Sequence, residues 1–384
     1  MFKGETMKKK EKTNTGDYYS LKEILKTEAD YFMIIGERSN GKTYAVSDYS
    51  LKDYCENGNQ LGLIRRQEED FTGKRGQQMF AALVENGLVE KYTNGEWNDI
   101  KYYSSRWYLC KFDEHLGKVI TKAEPFAYAF ALSTMEHDKS TSYPRIKNIL
   151  FDECLTRKSY LNDEFILFCN VLSTIIRERD GVKIFMCGNT VNRYAPYFKE
   201  MGLANVHRMK QGTIDIYTYG ENEELKVAVE YCAENQRKKK SNKYFAFNNP
   251  KLKMITHGAW ELAIYPHLPI KYKKHDIRFT YYIEFDEQLL ACEIINVTEN
   301  GHRLYFTYIH NKTTPLQNRK GDIVYSTKYN PQTNWRRKLT KPIYDVDKKL
   351  YTFFINDKVF YQDNEVGEIV RNYLLWSHSD RGIL

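Results

Sequence analysis

The most constraining feature of this sequence is a glycine-rich segment that matches the pattern G-x-x-x-x-G-K-[ST] in full. It consists of Gly36, Glu37, Arg38, Ser39, Asn40, Gly41, Lys42 and Thr43. An apolar run, YFMII, comes directly before the segment, and a helical pattern begins at its lysine. In such a loop, backbone N–H groups wrap phosphate oxygens, the lysine reaches the β- and γ-phosphates, and the threonine hydroxyl ligates Mg²⁺. The segment therefore predicts a nucleotide site in an α/β domain.

A second apolar run, ILF at 149–151, ends in two carboxylates, Asp152 and Glu153. A phosphate loop needs a carboxylate near the metal and a residue that orients or activates the attacking water. We therefore predict that Asp152 helps to hold Mg²⁺ and that Glu153 polarises water for attack on ATP. The alternative interpretation is two surface acids that end a core strand.

The first half of the chain alternates strand-like and helical segments, which predicts a mostly parallel α/β sheet and a P-loop NTPase domain over residues 1–220. The strand-like run KIFMC leads to Asn189, whose amide could sense the γ-phosphate, although asparagine after glycine is also common in turns. The helix before this strand carries Arg177 and Arg179 near its end. They could act in a neighbouring subunit as arginine fingers, or lie on a solvated helix terminus.

The remaining residues predict a linker and a second domain, as expected for 384 residues. Residues 221–258 begin with a charge-rich stretch that has a helical pattern and predict a helical linker. Residues 259–384 contain an antiparallel meander and a C-terminal helix, which predict a smaller α+β domain.

Composition narrows the class of protein. The net charge of +8 and the aromatic content of 15% favour polyanionic partners such as nucleic acid. Seven scattered cysteines without a Cys-x-x-Cys pair argue against a disulfide framework or structural zinc. No run of about 18 apolar residues is present, which predicts a soluble intracellular protein with no membrane partner.

Four segments, taken in order, resemble the DNA-packaging ATPases (encapsidation proteins, terminase-like) of phi29-like tailed bacteriophages. They are the glycine-rich loop, the KSTSYP segment shortly before the ILFDE box, the IIRER helix end and the CGN strand end. The resemblance implies a pentameric ring that sits on the portal protein and drives double-stranded DNA into a preformed procapsid. It also implies an ASCE-type ATPase domain followed by an RNase H-like domain that is vestigial as a nuclease, and a location in the host cytoplasm with transient docking on the procapsid.

The resemblance also implies residue roles. Lys42 and Thr43 take the Walker A roles, Asp152 the magnesium role, Glu153 the catalytic role and Arg177 the role of a trans-acting finger. Further expected DNA contacts are Lys139, on a pore loop, and the basic pair Arg65 and Arg66. Family members use a structural packaging RNA, and the resemblance leaves open whether this protein does so. Arg157 is displaced by one position from the place where a second trans-acting arginine is expected.

Two alternatives remain. A large terminase would also cut DNA with clustered carboxylates, for which the candidates are Glu284, Asp286, Asp363, Glu365 and Glu368. Solvent-facing acids are the favoured interpretation of these residues. A nucleotide-gated nucleic-acid-binding assembly factor would bind ATP without sustained turnover.

Overall fold

The computed structural model of the protein describes residues 18–134, 141–156, 160–161, 163–190, 195–233, 265–268, 270–285, 288–299, 301–316 and 321–378. The chain divides into two compact units, Met1–Glu261 and Leu262–Leu384.

Within the described residues, the first unit is built on a ten-stranded sheet. Its strands are β1 (Tyr31–Gly36), β2 (Gln60–Arg65), β3 (Asp99–Tyr103), β4 (Arg106–Asp113), β5 (Lys118–Thr121), β6 (Ala127–Ala131), β7 (Ile146–Asp152), β8 (Lys183–Asn189), β9 (Thr213–Tyr219) and β10 (Leu225–Tyr231). Their order is β3-β4-β6-β2-β7-β8-β1-β10-β9, with β5 beside β4. The six strands from β6 to β10 in this order pair in parallel, and antiparallel strands extend both edges. The mostly parallel α/β sheet predicted from the sequence is confirmed.

Helices cover both faces of this sheet. They are α1 (Lys42–Asn57), α2 (Lys74–Gln78), α3 (Ala81–Glu85), α4 (Leu88–Tyr92), α5 (Glu164–Ile176) and α6 (Pro196–Glu200), with short 3₁₀ turns at Ile24–Thr27, Glu68–Phe71 and Val206–Arg208. Alternate residues of β1 enter different cores: Phe32 packs in the core that includes α1, and Met33 in the core that includes α5. A strand that is buried on both faces reads as a continuous apolar run, which explains the YFMII signal.

Strand β10 corrects one expectation. The stretch from 221 onward was predicted to open as a helix, but Leu225–Tyr231 forms a strand parallel to β1, with Tyr231 opposite Ile35. The sequence LKVAVEY supports a strand equally well, because its valines recur with period two and its tyrosine suits a sheet. The first unit therefore extends past the predicted boundary at 220. The rest of the predicted linker, from 234 to 258, lies outside the described residues.

Among its described residues, the second unit has a six-stranded sheet in the order β15-β14-β11-β12-β13-β16. These strands are β11 (Ile277–Phe285), β12 (Gln288–Glu299), β13 (His302–Asn311), β14 (Ile323–Ser326), β15 (Trp335–Arg336) and β16 (Val359–Tyr361). The unit also contains helices α7 (Asp345–Ile355) and α8 (Asn364–His378) and a 3₁₀ turn, Lys274–Asp276. Strands β11 to β13 form the predicted antiparallel meander, and β14 to β16 add to it in parallel.

Three of the five candidate nuclease acids, Glu284, Asp363 and Glu368, have protein partners. Glu284 accepts a hydrogen bond from Ser326 Oγ at 2.7 Å and pairs with Lys328 at 3.0 Å. Glu368 accepts a hydrogen bond from the Tyr265 hydroxyl at 2.8 Å, and Asp363 accepts one from a backbone N–H in the first turn of α8. Where the chain is described, no group of three or more His, Cys, Asp or Glu residues could hold a metal ion. Asp286 lies outside those residues.

None of the described helices has the length and apolar character needed to cross a membrane.

Candidate functional site

The glycine-rich loop joins the end of β1 to the start of α1. Gly41, with φ of +94°, turns the chain into the helix in the left-handed region that favours glycine. At Gly36 the backbone passes so close to β10 that a Cβ atom would lie 2.8 Å from Cβ of Cys232. Both glycines of the motif thus have a steric reason, and the loop leads into the amino end of a 16-residue helix, where backbone N–H groups favour an anion.

Lys42 is held in the loop by oxygen atoms. Its Nζ donates to Glu37 O at 2.6 Å, Asn40 Oδ1 at 3.1 Å and Asn189 Oδ1 at 3.3 Å. The residue is only 5% exposed, and burial lowers the pKa of its ammonium group. The contact to Asn189 brings the end of β8 to the loop, and sensing of the γ-phosphate by this residue stays a prediction.

Thr43 and Asp152 meet across the site. The Thr43 hydroxyl donates to Asp152 Oδ1 at 2.6 Å, although the two residues are 109 positions apart. Asp152 ends β7, and β8 lies between that strand and β1. A hydroxyl and a carboxylate oxygen side by side are ligands that Mg²⁺ prefers, so these residues fit the predicted metal site.

Arg65 bridges Asp152, the last residue of β7, and Glu153, which follows it. Its guanidinium lies 2.7 Å from Asp152 Oδ2 and 2.8 Å from Glu153 Oε2. The Asp152 side chain is 7% exposed, whereas that of Glu153 is 58% exposed and reaches the cleft. Glu153 adopts a left-handed backbone conformation, with φ of +58°, which is uncommon for a residue with a side chain. This ion pairing is not predicted from the sequence.

Arg65 ends β2 and Arg66 follows it, and both residues, which the resemblance predicts as DNA contacts, form ion pairs within their own domain. Arg65 is directed at the acidic pair of the site, and its side chain is only 15% exposed. Arg66 forms a two-bond ion pair with Glu164, at 2.7 and 2.8 Å, and is 12% exposed. Both guanidinium groups are thus committed to carboxylates of their own domain, because β2 lies directly beside β7 in the sheet.

The loop, the acids and the end of β8 enclose one open cleft of about 290 Å³. It is lined by residues 38–44 of the loop and helix, by Asp152 and Glu153, and by Cys187, Gly188 and Asn189. Backbone donors, one buried cation and a carboxylate–hydroxyl pair suit a nucleotide polyphosphate with a divalent cation.

Residues 13–242 match the sequence profile of a family described as podovirus DNA encapsidation protein (Gp16). This segment covers more than half of the chain. The chain belongs to the Gp16 family.

Individual relatives of this Gp16-family chain agree with that placement. It is 25% identical over 184 residues to the DNA packaging protein of Bacillus phage phi29, covering 47% of this chain and 49% of the relative. It is also 25% identical over 173 residues to the DNA packaging protein of Bacillus phage B103, covering 44% and 47%. The chain thus spans about half the length of the curated relatives it matches.

A solved structure with a similar fold covers most of the chain. It is a chain of the bacteriophage phi29 viral genome packaging motor assembly, with 18% identity, coverage of 93% of this chain and 97% of that one, and a TM-score of 0.52. At this identity the likeness establishes the fold alone.

The structure separates Arg177 from the cleft. Helix α5 connects two parallel neighbours, β7 and β8, so its end lies at the edge where these strands begin. The loop and Asp152 lie at the opposite edge, about 20 Å away for a strand of seven residues. Arg177 is therefore far from the cleft of its own chain. Lys139 and Arg157 lie outside the described residues.

Arg179, whose role the sequence left open, fastens the end of α5 to the start of β7. Its guanidinium donates to five backbone carbonyls. They belong to Tyr143, Pro144, Ile146, Ile175 and Ile176, at distances of 2.6 to 3.1 Å. Because these bonds join the end of α5 to the segment that leads into β7, Arg179 is a structural residue.

We expect Arg179→Ala to lower the free energy of unfolding by roughly 2–3 kcal/mol, because hydrogen bonds from a charged group are stronger than neutral ones and their acceptors are partly buried. Urea titration followed by circular dichroism would measure the change. Arg145→Ala is the matched control, because its exposed pair with Glu124, at 3.5 Å, should contribute little. Equal stability of the two variants would contradict the structural role.

Proposed function

We propose that this chain is an ATP-hydrolysing motor that moves double-stranded DNA through the portal of a preformed procapsid. The observation that carries the proposal is the convergence of Lys42, Thr43, Asp152 and Glu153 on one cleft, in a chain of the Gp16 family. The relatives that are named DNA packaging proteins support the proposal that ATP hydrolysis drives DNA packaging.

The ATPase is of the ASCE type, named for an additional strand and a catalytic glutamate. Strand β8, between β1 and β7, corresponds to the additional strand and supports this assignment. Backbone N–H groups of residues 38–43 and the Lys42 ammonium bind the phosphates, and Asn189 contacts the same lysine. Glu153, at the mouth of the cleft, accepts a proton from the attacking water. Thr43 and Asp152 would hold Mg²⁺, which neutralises phosphate charge when bound.

In the proposed ring, a neighbouring subunit supplies the arginine finger that the cleft of one subunit lacks. Because Arg177 lies at the far edge of its own sheet, it acts on the nucleotide of a neighbour, where it stabilises charge in the transition state. We propose a homopentamer, in which Lys139 contacts DNA phosphates without reading bases. Docking on the portal protein, with or without a packaging RNA, takes place in the host cytoplasm.

For the second unit we propose a vestigial RNase H-like domain. Its antiparallel meander, which parallel strands extend, supports the proposed RNase H-like fold. The engagement of Glu284 and Glu368 by Lys328 and Tyr265 argues against an active nuclease of the large-terminase kind.

The proposal is tested by steady-state ATPase activity against protein concentration, with and without double-stranded DNA. We expect the specific activity to rise steeply with both. Arg177→Ala should abolish the rise, and mixing it with Glu153→Gln subunits should restore turnover, because each variant then supplies the group that the other lacks. Arg145→Ala, at the same edge of the sheet, should behave as wild type.

Two outcomes favour the rival functions. Flat turnover that ignores DNA and survives the loss of Arg177 would favour a nucleotide-gated assembly factor. Metal-dependent cleavage of DNA that Asp286→Ala abolishes would favour a large terminase.

A further inference from the structure

The side chains of Arg66, Glu164 and Tyr197 form a buried network beside the turn at Glu153 and Cys154, the catalytic turn. At its centre is Glu164, in the first turn of α5, which is 1% exposed. Its carboxylate accepts two hydrogen bonds from Arg66, one from the Tyr197 hydroxyl at 2.7 Å and one from the backbone N–H of Leu161 at 2.7 Å. A buried carboxylate is stable only with such a complete set of partners.

Each partner has a fixed geometry. Tyr197, on α6, has no exposed surface and packs its ring against Phe151 and Phe168. Burial and the adjacent Glu164 raise the pKa of its hydroxyl, so that it remains a donor. The guanidinium of Arg66 lies over the ring of Tyr160, at 5.1 Å from its centre.

The network reaches the catalytic turn through backbone carbonyls. Arg66 donates to Cys154 O at 2.9 Å and to Glu153 O at 3.3 Å, while its other N–H groups hold Glu164. One of these carbonyls belongs to Glu153 itself, whose φ is +58°, and the other belongs to the residue that follows it. Such a backbone conformation persists only when its surroundings enforce it. The same guanidinium thus joins a rigid, buried anion to the backbone on which the Glu153 carboxylate is mounted.

We propose that Arg66, Glu164 and Tyr197 are positioning residues that hold the Glu153 turn in its left-handed conformation and so aim its carboxylate into the cleft. This inference rests on the proposed ATPase function. It also connects α6, the helix after β8, to the catalytic turn, so that a shift of Tyr197 changes the placement of Glu153 without contact to nucleotide.

Tyr197→Phe and Arg66→Lys test the proposal. Phenylalanine keeps the ring and removes only the hydroxyl, whereas lysine keeps the charge but cannot hold two carbonyls and a carboxylate together. Because a displacement of about 1 Å can lower a rate about 100-fold, we expect kcat to fall about 10-fold in Tyr197→Phe and about 100-fold in Arg66→Lys. The dissociation constant for Mg-ATP should stay within about twofold of wild type, because neither residue lines the cleft.

The matched control is Tyr217→Phe, which removes the hydroxyl of another buried tyrosine. Tyr217 lies on β9, and its hydroxyl accepts a hydrogen bond from the backbone N–H of Asn205. It should keep kcat and ATP affinity. Wild-type kcat in both test variants would overturn the positioning role. Parallel losses of melting temperature, ATP affinity and kcat would overturn it as well and leave a structural role.

The proposed function fails separately from this inference. If Glu153→Gln retained turnover, the catalytic glutamate itself would be wrong. If Glu153→Gln lost turnover while Tyr197→Phe and Arg66→Lys kept it, only the positioning network would fall.

Discussion

Glu153→Gln should lower steady-state ATP hydrolysis by about 10²–10⁴-fold and leave ATP binding intact, because a general base contributes about that factor and glutamine cannot accept the proton of water. The exposed carboxylate of Glu153 stands at the cleft, and Asp152 beside it remains available for the metal. The substitution is nearly isosteric, so the bonds of the turn to Arg66 through backbone oxygens should persist. Turnover and equilibrium binding of a fluorescent ATP analogue would measure the two effects.

Glu178→Gln is a suitable control. Glu178 is also an exposed acid in a left-handed conformation, with φ of +62°, but it lies beyond the end of α5 at the edge away from the cleft. Its replacement should leave turnover unchanged. If the two variants retained equal activity, the attacking water would need another base, and the assignment of Glu153 would be wrong.

Sequence reasoning succeeded for features that are local in the chain. The loop, the strand before it and the helix after it lie within about 30 residues, and the residue types alone specify backbone donors, a cation and a hydroxyl. Asp152 and Glu153 were equally visible, because an apolar run that ends in acids places them at the end of a buried strand.

Arg65 and Arg66 show where such reasoning stops. Their partners Asp152 and Glu164 are close only because β2 pairs with β7, with Ile64 opposite Phe151. Periodicity predicts a strand but not its neighbour in the sheet, so two arginines at a strand end are equally compatible with DNA. A lone glutamate at the start of an apolar helix likewise gives no signal of a buried ion pair.

The prediction of a helix where β10 forms was wrong for a related reason. The stretch LKVAVEY is flanked by charged residues, and this charge-rich context favoured a helical linker. Its place is determined by pairing with β1 and β9, which the sequence does not encode locally. For Arg177 the limit is different, because the group on which we propose it acts belongs to another copy of the chain.

Lys42→Ala should lower the affinity for ATP by about 100-fold or more and abolish turnover. A charge-assisted bond to phosphate is worth roughly 3 kcal/mol, which is about two orders of magnitude in the dissociation constant. Burial lowers the pKa of this ammonium from its ordinary 10.5, so the charge is lost earlier as the pH rises. As the pH rises, the ATP affinity of the wild type should therefore begin to fall before pH 10.5 is reached. The affinity of the variant should not show this change.

Lys52→Ala provides the comparison within the same helix. Lys52 is exposed and pairs only loosely with Glu56, at 3.8 Å, so its removal should leave affinity and its pH profile unchanged. Isothermal titration with ATP at several pH values would separate the two lysines. If Lys42→Ala bound ATP as tightly as Lys52→Ala, the phosphates would not lie in the loop, and the cleft would have to serve another ligand. The loss of Lys42 also removes the donor shared by Glu37 O and Asn189 Oδ1, so a melting curve of each variant must show that the fold is retained before the affinities are compared.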